Sequence, residues 1–201
     1  MFIGNLNSIG NLPIGGASFT NEKSLLFDGV DEYITCGTNP SAINNAQNFS
    51  FSFWIKCTAG MSKRLVGTSN GVKINVFSGG ILFSVNNVTS YVYSLSAFIV
   101  TGQWHHVVCT YDGTEAVAND RQKIYVDGSN TSLQYVGSCP SVSTTTSNNF
   151  LIGTNDSVNY YDGNVDELSI FDYTLDSTQV ASLYNSGVPT DLDNTGGVTA
   201  P

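Results

Sequence analysis

The sequence predicts an all-β protein: two antiparallel sheets packed as a sandwich, with one short helix near the C-terminus. Three observations predict it. Short apolar runs recur along most of the chain, turn-forming pairs such as Asn70-Gly71, Gly79-Gly80 and Asp127-Gly128 separate them, and a helical pattern occurs once, around Val180.

Residues 1–20 are rich in Gly and Asn and read as a leading segment without regular pattern. Lys23 to Phe27 reads as a short strand, Asp28-Gly29-Val30-Asp31 as a turn, and Glu32 to Cys36 as a second strand that stops before Asn39-Pro40. Asn48 to Cys57 alternates strictly, with Phe49, Phe51, Phe53 and Ile55 on one side and Ser50, Ser52, Trp54 and Lys56 on the other, as a core strand does. Strands follow at Arg64 to Thr68, Val72 to Phe77, Ile81 to Val85 and Tyr91 to Leu95, and the Asn-Gly and Gly-Gly pairs between them accept the positive φ of hairpin turns. Gln103 to Tyr111 is apolar on both faces. Lys123 to Val126 leads through Asp127-Gly128 to a return strand, Thr131 to Val136, and Ser138 to Asn149 has no period and reads as a loop. Phe150 to Thr154 and Val165 to Phe171 complete the strands.

The helix has Asp176 or Ser177 as its cap, Gln179 at the capping-box position, Val180, Leu183 and Tyr184 on one face, and Gly187 as its stop. Residues 188–201 are polar and Gly-rich, a linker or tail beyond which a neighbouring module is expected. The organisation read from this is a leading segment at 1–20, one β-sandwich domain at 21–187, and the polar linker at 188–201.

The chain has 201 residues, 41% hydrophobic and 11% aromatic, enough for one sizeable core. Seven Lys and Arg stand against sixteen Asp and Glu, a net charge of −9, which leaves no basic stripe for a phosphate backbone or an anionic membrane. Nucleic acid is excluded as a partner, and membrane insertion with it, since no apolar run nears the ~20 residues of a span. Met1 to Asn7 carries no secretory signal pattern, so the chain is read as a fragment or as exported without one. An acidic, Lys-poor, Ser/Thr/Asn/Gly-rich composition suggests an extracellular or particle-surface setting. Cys36, Cys57, Cys109 and Cys139 contain no Cys-x-x-Cys pair and are expected to be free thiols.

One stretch suggests chemistry. In Gly163 to Phe171, alternation sets Asp166 on the side of Leu168 and Ile170. A carboxylate turned toward a core needs a cation or a metal, whereas one at a sheet rim is simply hydrated, and the strand alone leaves both open. His105 and His106, adjacent on a strand, face opposite ways and cannot share one metal; they read as structural.

The order of motifs resembles a known family. Ser24-Leu25-Leu26-Phe27-Asp28-Gly29 with Asp31 and Tyr33, then Phe49 to Ile55, Trp104-His105-His106-Val107-Val108 with Tyr111-Asp112-Gly113, Ile124 to Gly128, Gly163 to Ile170 and Leu183 to Gly187 together look like the laminin G-like jelly roll of the concanavalin A-like lectin and glucanase superfamily. The resemblance implies a jelly-roll sandwich with one structural calcium ion, whose ligands carry over to Asp166 and Asp28, with Asp31 a weaker candidate. Some relatives, the pentraxins, bridge two cysteines here; Cys109 holds one position, but Ser52 stands at the other, so that bridge is absent.

The superfamily includes glycosidases, but the acidic residues are not spaced as a hydrolytic pair, and no enzyme is expected. The reading is a non-catalytic recognition or attachment module, glycan-binding, of a secreted or virion-surface protein, with Tyr91, Tyr93, Tyr135, Tyr160 and Tyr161 as candidates to stack on sugar rings. The alternative is a purely structural decoration domain of a larger assembly such as a viral particle, its partner another protein of that assembly.

Overall fold

The structure is a computed structural model that describes residues 23–58, 63–86, 90–94, 98–156 and 158–189. The segment at 1–20 and nearly all of the tail lie outside them. In chain order the strands are β1 (Leu25–Asp28), β2 (Ile34–Thr38), β3 (Asn48–Cys57), β4 (Lys63–Gly67), β5 (Lys73–Phe77), β6 (Gly80–Asn86) and β7 (Ser90–Ser94). There follow β8 (Trp104–Asp112), β9 (Gln122–Val126), β10 (Ser129–Asn130), β11 (Leu133–Val136), β12 (Asn149–Ile152) and β13 (Asp162–Phe171), and the helix is α1 (Ser177–Tyr184).

Two antiparallel sheets form the expected sandwich: a six-stranded one ordered β1-β13-β3-β8-β9-β10 and a seven-stranded one ordered β11-β7-β6-β5-β4-β12-β2. The core lies between them. Phe49, Phe51, Phe53 and Ile55 of β3 are fully buried in it, with Ile74 and Val76 of β5, Ile81 and Phe83 of β6 and Phe150 of β12. The polar side of β3 is buried as well, because α1 packs across the outer face of the six-stranded sheet. Val180 and Leu183 meet Val108, Tyr125, Phe171 and Leu175 there, and the Ser50 hydroxyl accepts from Leu175 N and donates to the Tyr173 carbonyl. Small hydroxyl side chains therefore alternate with phenylalanine on β3 so that a second layer can seat closely.

Two boundaries differ from the sequence reading, each for a local reason. Asp127 and Gly128, at φ 50° and 75°, make the expected tight turn, but the return strand is only Ser129–Asn130. Thr131 is buried, its N–H and hydroxyl both donate to the Ile124 carbonyl, and the chain then crosses to the other sheet, where Leu133–Val136 pairs with β7. One apolar run thus serves two sheets. The helix starts as expected, with the Asp176 carboxylate accepting from Thr178 N and Gln179 N and the Gln179 side chain accepting from Asp176 N. It ends earlier: Asn185, at φ 46°, takes the left-handed stop assigned to Gly187.

All four cysteines are free thiols. Cys109 is fully buried and lies opposite Phe51, and burial pushes its thiol far up from the ordinary value.

Candidate functional site

Strand β13 decides which side chains reach the outer face of the six-stranded sheet. Its register with β3 is regular through Val165 opposite Ile55 and Asp166 opposite Trp54, then slips, and resumes at Ser169 opposite Ser52. Glu167 sits in the slip with φ 49°, the left-handed conformation a bulge residue can adopt. The extra residue reverses the alternation. Val165, Leu168 and Ile170 all lie in the core, and Asp166 stands on the opposite, outer face beside Trp54. The expectation that Asp166 points with Leu168 and Ile170 is thereby corrected, since period two holds only along an unbroken ladder.

Two cross-strand rows follow from this register. Asn164, Lys56 and Trp104 lie abreast across β13, β3 and β8, and Asp166, Trp54 and His106 form the next row. Strands are about 5 Å apart and rows two residues apart are about 7 Å apart, so six side chains share a patch about 10 Å wide. With Lys23 and Ser24, whose hydroxyl holds the Asn164 amide at 2.9 Å, five of the six line a groove of about 450 Å³ bordered by Gly187 and Pro189; His106 lies beneath it. Trp54, 4% exposed, is the floor, stacked on Tyr184 of the helix at 6.0 Å between ring centroids and tilted over His106 at 5.1 Å. Trp104 is 40% exposed and makes no ring contact among the described residues.

The two adjacent histidines, His106 under this patch and His105 on the other face of β8, are structural. His105 is held at both nitrogens: Nε2 accepts from Val100 N, so Nδ1 carries the proton and donates to Asp127 Oδ2 at 2.8 Å. His106 Nε2 meets the Ser52 hydroxyl at 2.9 Å, and its Nδ1 is buried without a partner. Burial, only partly offset by Asp127, lowers the His106 pKa from 6.5 to about 4, so the imidazole is neutral near pH 7.

The residues the sequence singled out fall in several places. Asp28 is exposed, and its Oδ1 accepts from Val30 N at 2.8 Å while its own N–H donates to Glu32 Oε2 at 3.0 Å. Asp31 is exposed in the same turn. Asp28 lies opposite Asp162, four residues from Asp166, about 13 Å along the sheet. Two Asp side chains do not reach one ion over that distance, so Asp28 and Asp166 form no shared site. Among the described residues no three His, Cys, Asp or Glu side chains are placed to hold a metal.

Of the tyrosines, Tyr91 and Tyr93 share the outer face of the seven-stranded sheet, their rings 6.3 Å apart, with Phe77 6.3 Å beyond Tyr93. Tyr160 is half-buried beside Tyr33. Tyr135 lies opposite Val92 and packs on the core. Tyr161 is fully buried, edge-on to Phe27, with its hydroxyl on Cys57 Sγ and the Asn164 carbonyl; it is a packing residue and no sugar platform. Sequence reasoning missed the groove, although Trp54 and Lys56 on the polar side of β3 were its signal.

The sequence profile of the concanavalin A-like lectin/glucanases superfamily matches residues 28–181. No curated protein matches the chain by sequence. Among solved structures, a native heptameric SAP-like pentraxin from Limulus polyphemus superposes with a TM-score of 0.59 at 18% identity, over 79% of this chain and 80% of its own. Domain 4 of AbnA, a GH43 extracellular arabinanase from Geobacillus stearothermophilus solved with arabinotriose, also gives 0.59 at 18% identity, over 80% and 76%. The receptor-binding domain of botulinum neurotoxin D gives 0.55 at 15% identity, over 84% of this chain but 47% of its own. These likenesses are of fold.

Proposed function

Because the chain belongs to the concanavalin A-like lectin/glucanases superfamily, we propose that it is a non-catalytic recognition module that binds a glycan in the Trp104 groove, on a secreted or virion-surface protein. The observation that carries this is Trp104, an exposed indole without a ring partner, set one strand from Lys56 and two from Asn164, with Asp166 in the adjoining row. An indole face takes the C–H face of a sugar ring, and amides and carboxylates bond its hydroxyls, the mixture of apolar wall and few polar groups that small-ligand sites use. A structural neighbour solved with arabinotriose supports the sugar reading. Hydrolysis fits poorly: retaining glycosidases hold two carboxyl groups about 5 Å apart, and Asp166 is the one acid among the described residues lining the groove.

The test is a glycan array followed by calorimetric titration of any hit. Trp104→Ala is expected to weaken binding about tenfold, about 1.4 kcal/mol, with the unfolding midpoint unchanged. Tyr93→Ala, on the opposite sheet, serves as the control; if it rather than Trp104→Ala abolishes binding, the site is the Phe77, Tyr93 and Tyr91 face. A parent protein that binds nothing on the array overturns the glycan reading and favours a decoration domain contacting proteins of its own assembly.

Calcium is carried as a proposal for the Asp28 turn alone. Asp28 and Asp31 would offer carboxylates from one short turn, and an ion there would take the rest of its shell from carbonyls and water. An ion held with the millimolar to sub-millimolar affinity of extracellular modules would stabilise by about 1 to 3 kcal/mol in 10 mM calcium. The expected result is a midpoint several degrees higher in calcium than in chelator, and lost in Asp28→Asn. Identical midpoints in both would rule the ion out.

A further inference from the structure

We propose that the open edge of the six-stranded sheet, at β1, takes a basic, extended peptide segment of a partner protein as an added strand. The site shares no described lining residue with the Trp104 groove and stands independently of the glycan reading.

Strand β1 ends its sheet: β13 pairs with it on one side, and no strand pairs with it on the other among the described residues. The Asp28 N–H turns away from β13, because it donates to Glu32 Oε2 at 3.0 Å. Its cross-strand neighbour agrees: the Asp162 carbonyl accepts from Thr58 N, on the β3 side of β13. Backbone groups alternate in direction along an antiparallel strand, so the Leu26 N–H and carbonyl turn to the same open side as Asp28 N. Glu32 closes one edge position, and Leu26 offers an incoming strand one donor and one acceptor. Strand addition uses edge groups of this kind.

The side chains beside that edge are apolar and acidic. A groove of about 450 Å³ joins it to the chain entering β2, the edge strand of the other sheet. Leu26, 68% exposed, and Tyr33, 45% exposed, both line it, and Tyr33 is set against Tyr160 at 6.1 Å between ring centroids. Asp31 and Glu32 are the charged residues among its described lining. Asp31 is exposed and makes no hydrogen bond or ion pair among the described residues, while Lys63 reaches instead toward Gly29 and Asp162. Such an edge suits a strand of alternating apolar and cationic residues, whose cations meet Asp31 and Glu32 by charge and Tyr33 by its ring face. A second copy of this chain, with net charge −9, would bring repulsion to the same edge.

The experiment titrates the full chain with blocked, fluorescein-labelled octapeptides read by anisotropy, in chelator so that no calcium occupies the Asp28 turn. The probes are an alternating lysine–valine peptide, an alternating glutamine–valine peptide, and the lysine–valine peptide N-methylated at every amide. The first is expected to bind about tenfold more tightly than either of the others, since one lacks the charge and the other cannot donate to the Leu26 carbonyl. Asp31→Asn and Leu26→Lys are each expected to weaken it about fivefold with no change in unfolding midpoint. Asp120→Asn, which removes the same charge from an exposed position elsewhere, is expected to leave it unchanged. Equal weakening by Asp31→Asn and Asp120→Asn would show only a general attraction of cations to an acidic chain and overturns the proposal. No effect of Asp31→Asn, equal binding of the methylated or the glutamine peptide, or no binding of the lysine–valine peptide at millimolar concentration overturns it too. All of these outcomes leave the glycan reading of the Trp104 groove where it stands.

Discussion

Replacing Trp54 by alanine is expected to lower stability by about 3 to 5 kcal/mol and to abolish ligand binding in the groove. The side chain is 4% exposed and wedged between the six-stranded sheet and α1, where it meets His106 at 5.1 Å and Tyr184 at 6.0 Å. Removing the indole takes the partner from both rings and leaves a cavity that a sheet cannot collapse to fill. In a domain of this size that loss lowers the unfolding midpoint by about 10 °C or more. Phe49→Ala separates the two effects. Phe49 is fully buried between the sheets, with ring contacts to Phe51, Phe83 and Tyr111, and its loss should cost a similar amount. Yet Phe49 is on the other side of β3 from the groove. At a temperature where both variants are folded, Phe49→Ala should bind ligand as the parent does and Trp54→Ala should not. Equal binding by both would show that the floor of the groove takes no part in recognition.

The same strand shows what the sequence could and could not reveal. Four aromatic and aliphatic residues alternating with Ser, Ser, Trp and Lys identify β3 as a core strand without any structure, and the side opposite the phenylalanines is where the groove lies. The capping residues Asp176 and Gln179 likewise fix the start of α1, because their partners lie within the same turn. Asp166 could not be placed this way. Its direction depends on Glu167 adopting φ 49° in a bulge, and a glutamate there gives no local signal as a glycine would. Tyr161 failed for a related reason: Tyr160 and Tyr161 look alike beside a loop, and only packing against Phe27 and Cys57 puts one inside. What was missed in each case depends on pairing between strands distant in sequence.

Acid is expected to loosen the layer under the groove between pH 6.5 and pH 4. His106 is enclosed by Trp54, Tyr184 and Ser52, and its backbone N–H donates to Asp127 Oδ1 at 2.9 Å, so the nearest charge is that one carboxylate. Desolvation outweighs its attraction and holds the imidazole pKa at about 4, against 6.5 for the exposed group. Between these values the unfolded chain binds a proton that the folded chain does not, so stability rises with pH across the window and falls on acidification. The loss begins as pH drops below 6.5 and levels off below about 4, where both states carry the proton. Its full size is about 3 kcal/mol, from about 1.4 kcal/mol for each pH unit by which the two values differ. Denaturant unfolding of the parent and of His106→Gln at pH 7, 5.5 and 4 measures it. The parent should lose about 3 kcal/mol more than the variant over that span, and parallel curves would refute a buried neutral imidazole. The glutamine keeps a polar contact to Ser52 without the titrating ring, so the difference between the curves isolates the proton. Trp54 rests on the same imidazole, and its fluorescence should change over the same interval in the parent alone. Because Trp54 also floors the groove, ligand affinity should weaken in step.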